Sequence, residues 1–256
     1  MLLPVAGGEL WVEDRAGAGT AVLLLHPGWG DSTIWDQVEP RFDEGLRVIR
    51  PDARGYGRSP APRTPFTHWV DLVAVMDELG VERGVVVGHS GGGAAAVSLA
   101  MTCPERVNSL ILLALGVGGY PWPHQDRFFV DHAALTSAHD LQGLIELGLR
   151  TWCRSGADTA ARSQIRSGLT GQLASAGHVQ PEPDVYCRLE QLTVPTTLVI
   201  GDLEYPMVAD CGAAMARRIP GCRVVTLAGV DHLIPLRAPA VVASLIDEVC
   251  GGRSSR

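Results

Sequence analysis

Apolar runs and stretches with helical spacing alternate along the first half of the chain. Predicted strands lie at 9–14, 20–26, 46–52, 84–90 and 109–115. Predicted helices occupy 31–40, 67–80 and 91–101. Several of the strands are continuous apolar runs, which is typical of central strands that are buried on both faces of a sheet.

The pattern changes after Gly116. From 119 to about 188 there is no apolar strand, only helical segments such as 140–153. Strands and helices then resume in alternation at 196–202, 207–219, 222–228 and 239–250. Alternating strands and helices predict a parallel sheet with helices on both faces. The block at 119–188 is then an insertion over the carboxyl edge of the sheet, where ligands bind in open α/β folds.

A serine stands where a predicted strand gives way to small residues, in "VVVGHSGGG" (85–93). This is the Gly-x-Ser-x-Gly pattern in a strand–turn–helix context, which exposes the Ser90 hydroxyl above the sheet. The free N–H groups and the positive dipole end of the following helix would favour an oxyanion beside it. Alternatively, Ser90 is only the N-cap of a helix in a glycine-rich turn.

A nucleophilic serine needs a base and an acid that orients the base. In this type of fold the chain order is serine, acid, histidine. Of eight histidines, His232 alone directly follows a late strand through a short loop. The acid is expected in "GDLEYP", where Glu204 lies further into the loop than Asp202. Glu204 is the favoured acid and Asp202 the alternative.

A tetrahedral oxyanion needs two backbone N–H donors. Gly91, directly after the serine, supplies one candidate. The other is expected in the loop "HPGWGD" (26–31), whose glycines allow close approach of the backbone to a ligand. Gly28 is the favoured donor, with Trp29 as the alternative; Trp29 is equally consistent with a packed aromatic residue.

Composition narrows the classes of partner. The 256 residues carry a net charge of −7, and all 21 basic residues are scattered arginines, so neither nucleic acid nor a membrane surface is an expected partner. The N-terminus lacks the pattern of a signal peptide, and no apolar run reaches the length of a membrane span. Six cysteines show no metal-site spacing. A cytoplasmic protein without a metal is expected.

Five segments together resemble the α/β-hydrolase fold superfamily. They are 23–36 with the oxyanion loop, 50–62, the serine turn at 85–93, the acid segment at 194–204 and the histidine segment at 227–239. The resemblance implies an α/β fold with a mostly parallel eight-stranded sheet flanked by helices. It also implies a helical lid after the sixth strand, with a core of 1–118 and 189–256 and a lid of 119–188.

Two departures from the superfamily pattern concern the expected site. Glu204 stands where aspartate is more usual, and Pro27 replaces a glycine of the oxyanion loop. The resemblance implies no metal and no organic cofactor. Aromatic and apolar residues near the expected site are candidates for the substrate pocket or, alternatively, for the core of the lid. They are Trp29, Trp122, Phe128, Phe129, Trp152 and Leu233.

The expected function is a serine hydrolase that cleaves a carboxylic ester of a small molecule through an acyl-enzyme. The alternatives with the same triad are a C–C bond hydrolase, a lactonase, a thioesterase or an aminopeptidase. Fold alone does not choose among them. A small-molecule receptor and a biosynthetic cyclase are the alternatives of another class. The expected partner is a small-molecule substrate, and the expected assembly is a monomer or homodimer.

Overall fold

A computed structural model describes residues 1–251. The strands are β1 (Leu2–Val5), β2 (Gly8–Arg15), β3 (Ala21–Leu25), β4 (Arg47–Pro51), β5 (Gly84–His89), β6 (Val107–Leu113), β7 (Thr196–Gly201) and β8 (Arg223–Leu227). The helices are α1 (His68–Glu78), α2 (Gly91–Thr102), α3 (Arg127–Ser137), α4 (Leu141–Trp152), α5 (Thr159–Ser175), α6 (Pro206–Arg218), α7 (Ile234–Arg237) and α8 (Pro239–Cys250). The end of the predicted core, 252–256, lies outside the described residues.

The eight strands form one sheet in the order β1-β2-β4-β3-β5-β6-β7-β8. The β1–β2 and β2–β4 pairs are antiparallel and the remaining pairs are parallel, which confirms the predicted mostly parallel sheet. The chain moves from β3 to β4 on one side and returns to β5 on the other. The carboxyl ends of β3 and β5 are therefore the switch point of the sheet, where ligands bind in open α/β folds.

Two hydrophobic cores lie on the two faces of the sheet. Along β5, Val85 and Val87 point into one core and Val86 into the other, as the two-residue period of a strand requires. Helices α1, α2 and α6 cover the face that includes Val86, and α8 covers the opposite face. All six residues of β5 are buried, which explains its uninterrupted apolar sequence.

Two sequence predictions differ from the structure. The predicted helix at 31–40 is two short 3₁₀ turns, Ser32–Trp35 and Glu39–Arg41. Asp31 caps the first by accepting a hydrogen bond from the Thr33 N–H, and Pro40 has no N–H with which to extend a helix. Strand β1 is also absent from the predicted strands, because this four-residue edge strand is too short to show alternation.

Helices α3, α4 and α5 lie between β6 and β7, and α4 matches the predicted helical segment at 140–153. We call residues 114–195 the helical insertion. Its last part returns along the loop before α1, where Phe66 and Val179 form an isolated β-bridge. The function of this segment as a lid stays a prediction. Within residues 1–251, no helix is both long and apolar enough to cross a membrane.

Candidate active site

Ser90 lies in a sharp turn between β5 and α2. Its backbone has φ 53° and ψ −116°, a conformation that residues other than glycine rarely adopt. The turn is held by two backbone hydrogen bonds. The Ser90 N–H donates to the Leu113 carbonyl at 2.9 Å, and the Gly93 N–H donates to the Ser90 carbonyl at 2.9 Å. This geometry is typical of a nucleophile elbow.

The glycines around this turn are required by close packing. A β-carbon built on Gly88 would lie 2.5 Å from the α-carbon of Gly93, and one built on Gly92 would lie 2.6 Å from the His26 carbonyl oxygen. Both distances are shorter than any real contact of a β-carbon. Helix α2 can therefore start directly beside β3 and β5 only with glycine at these positions.

His232 and Glu204 form a buried pair. The His232 Nδ1 lies 2.9 Å from Glu204 Oε2 and 3.1 Å from Oε1, with the two residues 1% and 4% exposed. Glu204 Oε1 also accepts the Tyr205 N–H at 2.7 Å. Because the carboxylate accepts from Nδ1, the other ring nitrogen, Nε2, carries the free lone pair. In the described part of the chain, that Nε2 is buried and has no hydrogen-bond partner.

Asp202, the alternative acid, has a different contact. Its Oδ1 accepts the Gly229 N–H at 2.7 Å, which ties the loop after β7 to the loop after β8. The structure thus brings Glu204, and not Asp202, to His232. The catalytic roles stay a prediction, and only the geometry distinguishes the two carboxylates.

His89, which the sequence analysis did not select, holds the backbone of the His232 loop. Its Nε2 lies 2.8 Å from the His232 carbonyl oxygen, so this nitrogen carries the proton and donates. Complete burial and then the neighbouring His232 hold the pKa of His89 well below its ordinary value. His89 is therefore neutral and serves as a fixed donor.

The helical insertion also contacts this loop. Asp231, buried next to His232, accepts the Ser155 N–H at 2.9 Å and the Leu233 N–H at 3.1 Å. The Arg154 guanidinium donates to the Glu204 carbonyl at 2.8 Å. The Trp152 ring packs against the His232 imidazole at a centroid distance of 4.5 Å, with the two ring planes tilted by 38°. No local sequence pattern indicates these contacts, since each joins distant parts of the chain.

The two predicted oxyanion donors lie side by side. A β-carbon built on Gly91 would lie 3.3 Å from the Gly28 backbone nitrogen. Within residues 1–251, neither the Gly28 N–H nor the Trp29 N–H has a hydrogen-bond acceptor. The Trp29 side chain is 7% exposed and packs against Phe128 of α3, with ring centroids 6.4 Å apart.

A cavity of about 360 Å³ opens beside Ser90. Its lining residues are Ser90, Gly91, Ala94, Ala114, Gly116, Val117, Gly118, Trp122, Phe129, Trp152, Met207 and Val208. Among residues 1–251, no charged side chain lines it. The volume and the apolar lining are those of a small-molecule site.

The predicted pocket residues divide into two groups. Trp122, Phe129 and Trp152 line the cavity, whereas Trp29, Phe128 and Leu233 do not. These three are buried in the core instead, because they pack against neighbouring apolar side chains rather than the open space. Met207 and Val208 also line the cavity but were not predicted. Both lie in the first turn of α6, directly after the acid loop, and this position at the carboxyl edge of the sheet could have indicated them.

Metal-binding side chains do not gather anywhere in residues 1–251. No group of three or more histidine, cysteine or acidic side chains there is placed to hold an ion. The six cysteines are free thiols.

Comparison with known proteins gives matches over most of the chain. A pimeloyl-(acyl-carrier protein) methyl ester esterase of Aromatoleum aromaticum is 29% identical over 251 residues, which are 90% of this chain and 98% of that enzyme. A solved hydrolase of Pseudomonas aeruginosa superposes with a TM-score of 0.80 and 25% identity, over 98% of both chains.

A shorter match has a higher sequence identity. An uncharacterised protein of Mycobacterium tuberculosis is 37% identical over 107 residues, which are 40% of this chain but only 30% of that protein. The sequence model of the alpha/beta hydrolase family matches residues 22–245 and so includes the serine turn, the acid loop and the histidine loop. The eight-stranded sheet is the fold of these hydrolases, and this chain is a member of the alpha/beta hydrolase family.

Proposed function

We propose that this chain is a serine hydrolase that cleaves a carboxylic ester of a small, apolar molecule through an acyl-enzyme. Ser90 is the nucleophile, His232 the general base and Glu204 the group that orients His232. The N–H groups of Gly28 and Gly91 bind the oxyanion. Family membership and the similarity to a methyl ester esterase support this function.

The observation that carries the proposal is the pairing of Glu204 with His232 Nδ1 at 2.9 Å. A buried carboxylate on Nδ1 fixes the tautomer whose Nε2 is free to accept a proton. The histidine loop and the Ser90 turn both lie at the carboxyl edge of the sheet. His89 joins them through its 2.8 Å hydrogen bond to the His232 carbonyl.

The chemistry follows in two halves. The Ser90 oxygen attacks the ester carbonyl carbon as its proton passes to His232 Nε2, and the carbonyl electron pair moves to the oxygen held by the two glycine N–H groups. When the tetrahedral intermediate collapses, the C–O bond to the alcohol breaks and His232 returns the proton to the leaving oxygen. Water, deprotonated by His232, then attacks the acyl carbon. The C–O bond to Ser90 breaks, His232 returns the proton to the Ser90 oxygen, and the acid is released.

The cavity supports a neutral, apolar substrate. A carboxylate or ammonium group bound there would lose its hydration without gaining a charged partner, because every side chain that lines the cavity is uncharged. An ester with an acyl or alkoxy group of moderate size would fit this cavity. The Trp122 and Phe129 rings and the Met207 thioether would contact such a group.

The test is the intact mass of the protein after exposure to a fluorophosphonate. The wild-type chain should gain one adduct, whereas Ser90→Ala and His232→Ala should gain none. Ser98→Ala is the matched control, because Ser98 lies on the same helix and donates to the Ala94 carbonyl, away from the proposed chemistry. It should label like the wild type.

Hydrolysis of p-nitrophenyl esters then measures the reaction itself. Neutral acyl chains should be cleaved faster than an acyl chain of equal length that ends in a carboxylate. Ser90→Ala should lower kcat by a factor on the order of 10⁶, as the loss of a nucleophile in a triad does. A folded wild-type protein that neither labels nor cleaves any ester would overturn the proposed function.

A further inference from the structure

Packing does not fix the conformation of Gly28, the proposed oxyanion donor. A β-carbon built at this position would meet nothing within 4 Å, so the residue borders open space. Glycine also has the widest conformational freedom of all residues. An oxyanion donor must nevertheless point at one place before the reaction begins. Something other than steric contact has to hold this backbone.

The peptide before Gly28 is held by His26. The His26 Nε2 lies 2.9 Å from the Ala53 backbone nitrogen and accepts its proton, so Nδ1 carries the hydrogen of the ring. That Nδ1 donates to the Pro27 carbonyl at 2.8 Å. In a planar trans peptide the N–H points away from the carbonyl, so this bond directs the Gly28 N–H.

The peptide after Gly28 is held from the helical insertion. The Gln172 side-chain amide, on helix α5, donates to the Gly28 carbonyl at 2.8 Å. The two residues are 144 positions apart in the chain. With both flanking carbonyls engaged, Gly28 can rotate on neither side without breaking a hydrogen bond. The Gln172 bond also orients the Trp29 N–H, the alternative donor.

Helix α5 is shaped to lie against this loop. Gly168, one turn before Gln172, leaves room for the loop backbone, since a β-carbon there would lie 2.3 Å from the Trp29 carbonyl carbon. One further turn back, the buried Gln164 accepts the Asp31 N–H at 3.1 Å and donates to the Thr33 hydroxyl at 2.8 Å. Residues four apart on a helix share one face, so these contacts form a single surface.

We propose that Gln172 is a positioning residue of the oxyanion hole, and that helix α5 of the insertion builds this hole rather than only covering the site. This inference rests on the proposed serine hydrolase function. Without the Gln172 amide, the Gly28–Trp29 peptide can rotate, so the Trp29 N–H loses its direction and only the His26 bond to the Pro27 carbonyl still holds the Gly28 N–H. Substrate binding in the apolar cavity is unaffected, because Gln172 does not line it.

Two variants isolate the amide donor. Gln172→Met keeps the length and volume of the side chain without the donor, and Gln172→Glu replaces the donor by a carboxylate that faces a carbonyl oxygen. The control is Gln142→Met on helix α4, an exposed glutamine whose amide contacts only the Glu146 carboxylate. All four proteins are compared by kcat and KM for a neutral p-nitrophenyl ester and by thermal unfolding.

Loss of one direct oxyanion donor lowers kcat by about 10² to 10³, so loss of its support should lower kcat by about 10- to 100-fold. KM should stay within about threefold, since the lost interaction is made only in the transition state. Gln172→Glu should lose at least as much as Gln172→Met, and Gln142→Met should match the wild type. The affinity for an alkyl trifluoromethyl ketone, whose Ser90 adduct carries an oxyanion, should fall in step with kcat/KM.

Three results would overturn the inference while the proposed function stands, because the wild type would still label and cleave esters. They are an unchanged kcat in Gln172→Met, a rise in KM without a fall in kcat, and an equal loss in Gln142→Met. A wild-type protein that does not react with the fluorophosphonate would instead overturn the proposed function itself.

Discussion

The strand-end loops of the sheet and the helical insertion contribute to the site in different ways. The loops after β3, β5, β7 and β8 carry the groups proposed to do chemistry: Gly28, Ser90, Glu204 and His232. The insertion carries none of these, yet it holds three of the four loops. Arg154 donates to the Glu204 carbonyl, Ser155 donates to Asp231 beside His232, and Gln172 donates to Gly28.

This division explains where sequence reasoning succeeds. A loop at the end of a parallel strand lies at a known edge of the sheet, so its residues can be placed from a short stretch of sequence. The supporting contacts join residues 50, 76 and 144 positions apart. Nothing within one window of sequence indicates such partners.

Within the strand-end loops, the two carboxylates after β7 should differ strongly. Glu204→Gln removes the acceptor that fixes the His232 tautomer, and kcat should fall by about 10³ to 10⁴. Asp202→Asn should leave kcat within about threefold, because its carboxylate holds only the Gly229 N–H. It should lower the free energy of unfolding by about 1 kcal/mol through the weakened hydrogen bond. Steady-state kinetics and urea unfolding measure both.

A reversal of this order would mean that the orienting acid is misassigned. If Asp202→Asn abolished activity and Glu204→Gln kept it, the loop would have to rearrange when substrate binds. The 2.9 Å contact of Glu204 with His232 would then be an inactive arrangement.

The fold and the family follow from the sequence more fully than the site does. Seven of the eight strands were predicted, and the family match confirms the fold that five short segments indicated. The glycines at 88 and 92 made this possible, because close backbone packing leaves a visible pattern of small residues. The triad acid was only favoured, since two carboxylates two positions apart cannot be separated without the third dimension.

The pocket was predicted least well. Aromatic residues of the insertion were equally consistent with a cavity wall and with a packed core, and they divide between the two. Trp122 and Trp152 face the cavity, while Phe128 packs against Trp29 and Trp152. Hydrophobic periodicity identifies which side chains are turned inward on a helix, but a cavity and a core both lie inward.

Within the insertion, filling the space between α5 and the oxyanion loop should lower both stability and activity. Gly168→Ala places a methyl group against the Trp29 backbone, 2.3 Å from its carbonyl carbon, so the loop or the helix must move. Overpacking of this kind costs about 1 to 3 kcal/mol of unfolding free energy. A displaced oxyanion donor should also lower kcat by about tenfold or more.

Gly212→Ala on α6 is the matched control. The atoms nearest to its added methyl are the flexible ends of Ile200 and Leu198, at 3.2 and 3.5 Å. Since alanine is the better helix former by about 1 kcal/mol, this variant should keep both its stability and its activity. Equal kinetics for Gly168→Ala and the wild type would show that contact with α5 does not set the oxyanion loop.

An effect on stability alone is expected at the seam where the returning insertion meets the core. His68 begins α1, donates its backbone N–H to Glu182 of the insertion at 3.0 Å, and lines a small cavity of about 70 Å³. Burial, and then the nearby His26 and Arg54, lower the pKa of His68 to about 4. The ordinary value is about 6.5, so the folded chain resists a proton that the unfolded chain accepts.

The direction of the pH dependence follows from this difference. Between pH 6.5 and 4 the unfolded chain binds more protons at this site than the folded chain does, so the free energy of unfolding falls as the pH falls. From pH 7.5 to pH 5, His68 should lower the unfolding free energy of the wild type by on the order of 2 kcal/mol. The decrease in His68→Gln should be smaller by about the same amount. Urea unfolding at both pH values measures it, with the exposed His124→Gln as control for the loss of an imidazole. Parallel pH profiles of unfolding free energy for His68→Gln and the wild type would mean that His68 takes up its proton in the folded chain. The contact between the insertion and the core at this seam would then be solvated rather than dry.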